Sequence, residues 1–141
     1  GVLRMTRTLL PKLVASGDGL GVNLGSIAGI EAYPGGGGYA ASKFAVHALT
    51  RTLRLELLGQ PVRVTEILPG LAETEFALVR FDGDRERAAK VYEGMTPLSA
   101  EDIAEAVRWV ATRPSHVDID EIVIRPRDQA TTMLVHRRPR E

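Results

Sequence analysis

The sequence predicts an α/β fold with a parallel sheet of three strands and flanking helices, and three observations lead to this prediction. Segments with a helical repeat of apolar residues follow one another along the chain. Short runs rich in β-branched residues lie between them, as buried strands require. Glycine or proline stands at most of the boundaries. This alternation of helix and strand is typical of an open parallel sheet with helices packed on it.

The first helix is predicted over residues 2–14, where apolar residues recur with helical spacing. No capping residue precedes it, and Pro11 is expected to kink or shorten it because proline lacks a backbone donor. The chain starts at Gly1 without a methionine and runs directly into this helix, so we interpret it as part of a larger protein. The turn at Gly17-Asp18-Gly19 then leads into a first strand that ends just before Ser26.

A long second helix is predicted to begin at Tyr39 and to end at Gly59. The alternating segment Val62 to Leu68 is the second strand, and Pro69-Gly70 ends it. The highly charged stretch from Phe76 to Gly94 predicts a solvated helix and loop, placed where a lid over a ligand would lie.

The last part of the chain predicts one more helix and one more strand. Ser99, with Asp102 at capping-box distance, opens a helix that ends at Arg113-Pro114. Residues 119–125 form the third strand, which should lie near an edge because it carries charges. We therefore expect one domain over residues 1–130 and a flexible tail over residues 131–141.

Composition excludes several classes of partner. The 141 residues suit one domain, and 18 basic residues balance 18 acidic ones, so neither nucleic acid nor an anionic membrane is an expected partner. The chain has no cysteine and therefore no disulfide or thiolate metal site. His47, His116 and His136 are scattered, so we expect no metal site and treat them as surface or packing residues. No membrane span or secretory signal is apparent, which favours the cytoplasm.

Three residues suggest proton-transfer chemistry. Ser26 lies at the carboxyl end of a strand, and Tyr39 and Lys43 lie one turn apart on the same face of a helix, with a rise of about 6 Å. A nearby ammonium stabilises a phenolate, and lowering the tyrosine pKa from about 10 by three units needs roughly 4 kcal/mol. Tyr39 is therefore the candidate general acid/base, Lys43 tunes it, and Ser26 hydrogen-bonds the substrate oxygen.

A second group of candidates follows the second strand. Ligands of open parallel sheets bind at the carboxyl ends of the strands, so Pro69-Gly70 should share an edge with Ser26. Gly70 would let the backbone approach a ligand closely, and Thr74 could offer its hydroxyl. Arg80 could pair with a substrate carboxylate. Residues 35–40 match a dinucleotide-binding fingerprint, but about eight residues separate them from the strand end and we reject the match.

In their order and spacing, Ser26, Tyr39, Lys43 and the Pro69-Gly70 turn resemble the classical short-chain dehydrogenase/reductase family. The resemblance covers most of the chain and implies the C-terminal half of a Rossmann-type doubly wound parallel sheet. The run Leu71-Ala72-Glu73-Thr74-Glu75-Phe76, followed by Val79 to Asp84, is similar to the branch of NADP-dependent 3-hydroxy acid and serine dehydrogenases.

The resemblance implies a role for each candidate. Tyr39 would exchange the proton, Lys43 would also hold the nicotinamide ribose, and Ser26 would position the alcohol or carbonyl of a small-molecule substrate. The nicotinamide end of the cofactor would be lined by Pro69, Gly70, Leu71 and Thr74. NADP is the expected cofactor and NAD the alternative, since the family's residues that distinguish them belong to the half that this chain lacks. A homodimer or homotetramer is expected for the complete protein.

Three alternative functions share single features with a short-chain dehydrogenase half of this kind. A truncated, non-catalytic module for interaction or oligomerisation is the main alternative, because the family's glycine-rich cofactor turn is absent from the chain. A serine hydrolase using Ser26 would need glycine where Leu24 stands. A sugar-nucleotide epimerase shares the Tyr and Lys spacing but would continue into a larger substrate domain.

Overall fold

The computed structural model describes residues 1–139, which form a three-stranded parallel sheet with helices packed on it. Strands β1 (Gly19–Leu24), β2 (Val62–Pro69) and β3 (Glu121–Ile124) lie in the order β1-β2-β3. Gly19 pairs with Val62, and Glu66 pairs with Glu121. The predicted fold class is confirmed. The third strand is shorter than the predicted residues 119–125.

Five α-helices and one 3-10 turn connect and cover these strands in the described part of the chain. Their bounds are α1 (Val2–Ala15), the 3-10 turn (Ile27–Gly29), α2 (Gly37–Glu56), α3 (Glu75–Arg80), α4 (Arg85–Tyr92) and α5 (Ala100–Ala111). The charged stretch expected as one helix and loop therefore holds two short helices, α3 and α4, joined by a turn in which Asp82 and Gly83 have positive φ.

Helix α1 continues through Pro11 to Ala15, so the expectation that proline shortens it is wrong. Proline removes one internal hydrogen bond, but α1 packs along β1, and this packing holds the last turn in place. The contact is close at Gly19, where a Cβ would lie 2.6 Å from the Leu13 carbonyl oxygen.

The other helix boundaries follow local signals. Helix α2 begins at Gly37, two residues before the predicted start at Tyr39, and its C-cap Leu57 precedes Gly59, which adopts φ 85°. Helix α5 has the predicted capping box: the Ser99 hydroxyl accepts from the Asp102 N–H at 3.2 Å, and the Asp102 carboxylate accepts from the Ser99 N–H at 2.8 Å.

The core lies around β2, which has neighbours on both sides. Val64, Ile67 and Leu68 are at most 1% exposed. At the outer strands burial is incomplete: Leu24 at the end of β1 is 54% exposed, and exposed and half-buried residues alternate along β3. The expectation that β3 lies at an edge is thus met in the described sheet.

The segment after residue 130 makes definite contacts up to Arg138. The Thr132 N–H donates to Glu31 at 2.8 Å, and the Arg138 guanidinium lies 3.4 Å from Asp128. The expected flexibility of this tail concerns motion and stays a prediction, and its last two residues, Arg140 and Glu141, lie outside the described residues. Among the helices of residues 1–139, none has the length and apolar character needed to cross a membrane.

Candidate active site

One pocket of about 510 Å³ at the carboxyl ends of β1 and β2 brings together every site residue that the sequence predicted. The residues concerned are Ser26, Tyr39, Lys43, Pro69, Gly70, Leu71 and Thr74. They come from the end of β1, the first two turns of α2 and the loop after β2, so it is the parallel arrangement of the strands that assembles them.

Ser26 is held in place by the turn that follows β1. Its backbone is extended, and its hydroxyl caps the 3-10 turn by accepting a hydrogen bond from the Ala28 N–H at 3.1 Å. Its Oγ also lies 3.5 Å from the Pro69 carbonyl oxygen, which is long for a hydroxyl donor. The hydroxyl hydrogen can therefore turn to a substrate oxygen at small cost.

Tyr39 and Lys43 face the same pocket from α2. The Lys43 Nζ lies 5.8 Å from the centroid of the Tyr39 ring and donates to the Leu24 carbonyl oxygen at 2.9 Å. Burial lowers the pKa of Lys43, and the charge of Glu66 opposes part of that shift. The Tyr39 ring packs against Phe76 with centroids 5.3 Å apart, which fixes the ring on its outer side.

The turn after β2 is fixed by Gln129, which sequence reasoning missed. Gln129 is 5% exposed, and its side-chain oxygen accepts from the Leu71 N–H at 2.8 Å. A Cβ on Gly70 would lie 2.2 Å from that oxygen, so Gly70 is needed here for space. Nothing local in the sequence pointed to this role of Gln129, because Leu71 is 58 residues away along the chain.

Thr74 has a structural role besides its place in the pocket. Its hydroxyl accepts from the Phe76 N–H at 3.2 Å and caps α3. The hydroxyl hydrogen remains available as a donor, so the expected contact with a ligand is compatible with the cap.

Helices α3 and α4 also line the pocket. The Arg80 guanidinium donates to the Tyr33 hydroxyl at 3.0 Å and, with Lys43, is one of two cations among the lining residues. The Tyr92 hydroxyl donates to the Ala72 carbonyl oxygen at 2.9 Å, and burial, aided by the charge of Glu73, raises the pKa of Tyr92. Tyr92 is therefore a neutral structural donor, in contrast to the role predicted for Tyr39.

His47 has a partner that the sequence did not reveal. Its Nδ1 lies 2.8 Å from Oε2 of Glu66, and the Glu66 side chain is fully buried. Glu121 of β3 adds a carboxylate, so that one donor atom from each of the three residues lies within 4.8 Å of the others. The description of His47 as a packing residue is right in part, but it is also the partner of a buried acid.

Comparison with known proteins agrees with this geometry. A family model described as short chain dehydrogenase matches residues 1–84. An uncharacterized oxidoreductase of Mycobacterium tuberculosis strain H37Rv is 68% identical over 131 residues, which are 93% of this chain and 52% of that protein. NADP-dependent 3-hydroxy acid dehydrogenase YdfG of Salmonella typhimurium is 48% identical over 139 residues, 97% of this chain and 56% of that protein.

Two further similarities concern a reductase and a solved structure. Sulfoacetaldehyde reductase 2 of Chromohalobacter salexigens is 46% identical, over 92% of this chain and 52% of that protein. The closed form of serine dehydrogenase complexed with NADP+ has a TM-score of 0.89 at 44% identity, covering 96% of this chain and 56% of that one. The chain spans about half the length of the curated relatives it matches. With the family model matching more than half of its residues and the strand-end serine, tyrosine and lysine in one pocket, the chain belongs to the short-chain dehydrogenase family.

Proposed function

We propose that this chain carries the catalytic half of an NADP-dependent oxidoreductase, with NAD as the alternative cofactor. The reaction is hydride transfer between the nicotinamide and the alcohol or carbonyl carbon of a small hydroxy acid. The observation that carries the proposal is the presence of Ser26, Tyr39 and Lys43 in one pocket beside the Gly70 turn. Two of the similar proteins support it. One is named as an NADP-dependent 3-hydroxy acid dehydrogenase, and the other is a serine dehydrogenase complexed with NADP+.

The residues present fit the nicotinamide end of such a cofactor. Lys43 offers a half-buried ammonium, and the Gly70 turn lines the same pocket. Lys43 would hold the ribose, and Pro69, Gly70, Leu71 and Thr74 would line the nicotinamide. The cofactor supplies the hydride acceptor or donor, since no side chain can carry a hydride.

The protein's own residues would move the proton. Ser26 donates its hydroxyl hydrogen to the substrate oxygen and holds that oxygen within reach of the phenol. Tyr39 takes the proton from the alcohol during oxidation and returns it during reduction. Lys43, 5.8 Å from the Tyr39 ring, places a positive charge beside the phenol that would exchange the proton.

Arg80 is our candidate for the acid group of the substrate. It lines the pocket, and its Nη1 donates to the Tyr33 hydroxyl at 3.0 Å. The names of the relatives include a 3-hydroxy acid, serine and sulfoacetaldehyde, each of which carries an anionic group at neutral pH. A guanidinium suits such a group because it can donate two parallel hydrogen bonds.

A homodimer or homotetramer and a cytoplasmic location complete the proposal. Several large apolar side chains of α1 and α2 are exposed in residues 1–139, among them Leu3, Met5, Leu9, Phe44 and Leu49. Covering such a surface with a second copy would remove it from water. Sedimentation of the complete gene product, compared with a Leu9→Lys/Phe44→Glu variant, tests this assembly.

The proposed reaction is tested with Tyr39→Phe in the complete gene product. Loss of the phenolic proton should lower kcat by about 10²–10⁴-fold for serine and simple 3-hydroxy acids with NADP or NAD. Tyr92→Phe is the matched variant, because it removes a hydroxyl from the same pocket, and its loss should be far smaller. Equal losses in the two variants would remove Tyr39 from the mechanism. A folded complete protein that neither reacts nor binds either cofactor would instead support the non-catalytic module.

A further inference from the structure

Glu66 is a buried acid that the proposed reaction does not use. It lies in the middle of β2 with 0% of its side chain exposed. Oε2 is bound to His47 at 2.8 Å, whereas Oε1 is buried and has no hydrogen-bond partner among residues 1–139. A buried carboxylate oxygen without a partner is costly, so its position calls for a reason.

Oε1 points at the turn that carries Ser26. A Cβ built on Gly25 would lie 2.1 Å from Oε1 and 2.9 Å from Cδ of Glu66. The φ of Gly25 is outside the positive range, so glycine is required at this position for space. Gly25 lies between Leu24, whose carbonyl oxygen binds Lys43, and Ser26. The Glu66 carboxylate therefore packs against the backbone segment that places two of the proposed active-site residues.

The same carboxylate also acts through its charge on Lys43. Lys43 stands one helical turn before His47 on α2, and the charge of Glu66 raises the Lys43 pKa against the effect of burial. The charged or titratable groups facing Glu66 are Lys43 and His47 of α2 and Glu121 of β3. Next to them, Arg54 of α2 binds the Val64 carbonyl oxygen and Asp120, and the backbone of Gly25, which follows β1, packs against the carboxylate.

We propose that Glu66 is a positioning residue for the reaction: its buried carboxylate fixes the Gly25 turn next to Ser26 and places a negative charge near the Lys43 ammonium. This inference rests on the proposed function and deepens it. Glu66 touches neither substrate nor cofactor and acts through Gly25 and Lys43. His47 completes the arrangement, because its Nδ1 satisfies the oxygen of Glu66 that faces away from the turn.

The first test is Glu66→Gln in the complete gene product, which keeps the shape of the side chain and removes its charge. Without the anion, the pKa of Lys43 should fall, so the limb of the kcat profile that reports this lysine should move to lower pH. Glu121→Gln is the matched control, because it removes the same charge from an exposed residue of the same cluster, where water screens it. Profiles of Glu66→Gln and wild type that coincide would overturn the proposal.

A readout without turnover separates this inference from the proposed function. Lysine labelled with ¹³C at Cε reports the Lys43 pKa by NMR. The Lys43 signal is assigned by its loss in Lys43→Arg. The other lysines of this chain are Lys12 and Lys90. A lower Lys43 pKa in Glu66→Gln supports the counter-charge even in a protein that shows no dehydrogenase activity. An unchanged Lys43 pKa in an active enzyme overturns the counter-charge and leaves the proposed function intact.

The contact with Gly25 is tested by a double-mutant cycle. Gly25→Ala should displace the Ser26 turn and lower kcat by about a hundredfold, the cost of a misplacement near 1 Å. Glu66→Ala removes the atoms that would collide with the new methyl group, so the Gly25→Ala/Glu66→Ala protein should regain at least tenfold over Gly25→Ala. The same cycle is read by thermal unfolding if a single variant folds poorly. Additive effects in both readouts would show that the two residues do not act through each other.

Discussion

The two walls of the pocket differ in how firmly they are built. The wall that carries Ser26 and Tyr39 rests on buried neighbours: Ile27 and Ala28 are 3% exposed, and Ala40 is 4% exposed. The second wall consists of the two short helices α3 and α4, where Phe76 is 47% and Val79 is 73% exposed. The residues of the proposed proton transfer therefore belong to the wall with buried neighbours. The residue proposed to bind the acid group of the substrate, Arg80, belongs to the exposed wall. Residues on the first wall should affect kcat, and residues on the second should affect KM.

Lys43→Met should have the largest effect in this comparison. It removes the ammonium beside Tyr39 and the donor to the Leu24 carbonyl oxygen, so kcat should fall by about 10²–10⁴-fold together with cofactor affinity. Lys12→Met, at an exposed position of α1, is the control. Steady-state kinetics on the complete gene product measures both variants, and a loss below threefold in Lys43→Met would contradict the assignment of chemistry to this wall.

Arg80→Gln tests the wall formed by α3 and α4. Loss of one charge-assisted interaction, about 1.5–3 kcal/mol, should raise KM for a 3-hydroxy acid roughly 10–150-fold while changing kcat little. KM for a neutral alcohol of the same length should stay constant. Arg85→Gln removes an exposed arginine of α4 and serves as the control. Equal effects on the acid and on the neutral alcohol would exclude a carboxylate contact.

Gln129→Leu should weaken the support of the Gly70 turn, which lines the pocket. It leaves the Leu71 N–H without its partner at 2.8 Å, which should cost about 1–3 kcal/mol in the free energy of unfolding. Cofactor affinity should fall as well, because the Gly70 turn loses its support. Urea unfolding and cofactor titration measure the two effects, with Gln60→Leu at an exposed site as control. Full stability with normal cofactor affinity would rule out this support.

Tyr92→Phe should have the smallest effect, about 1 kcal/mol of stability from one hydrogen bond. Because burial raises the Tyr92 pKa above its usual 10.0, the folded protein holds this proton more tightly than the unfolded chain. Unfolding free energy contributed by Tyr92 is thus present below pH 10 and is lost as the pH rises further. The variant should lack this alkaline loss and keep the shape of the kcat profile. An altered profile would give Tyr92 a part in proton transfer.

The sequence was sufficient for the sheet and for the residues that share its edge. Strand periodicity and helical spacing located Ser26, Tyr39 and the Gly70 turn on their elements. The rule that ligands bind at the carboxyl ends of parallel strands then placed them together. None of these signals depends on how side chains pack. The capping box at Ser99 is equally local, since both partners lie within one helical turn.

What the sequence did not reveal depends on packing between distant segments. Gln129 meets Leu71 across 58 residues, and His47 meets Glu66 across 19, with no pattern that announces either pair. Pro11 misled the prediction because packing of α1 on β1 outweighs one lost hydrogen bond. Tyr33 is similar: its place beside Arg80 follows from the course of a loop that only the folded chain defines.

The two crowded glycines of the pocket have a consequence for how this protein can be altered. Gly25 and Gly70 each face a carboxylate or amide oxygen from another segment, at 2.1 and 2.2 Å from the position of a Cβ. A side chain added at Gly25 or Gly70 alone would have to displace that oxygen, so a library that varies one position at a time should show losses at both. Varying Gly25 with Glu66, and Gly70 with Gln129, would open combinations that single changes cannot reach. New substrate ranges in this scaffold should therefore be sought in paired libraries.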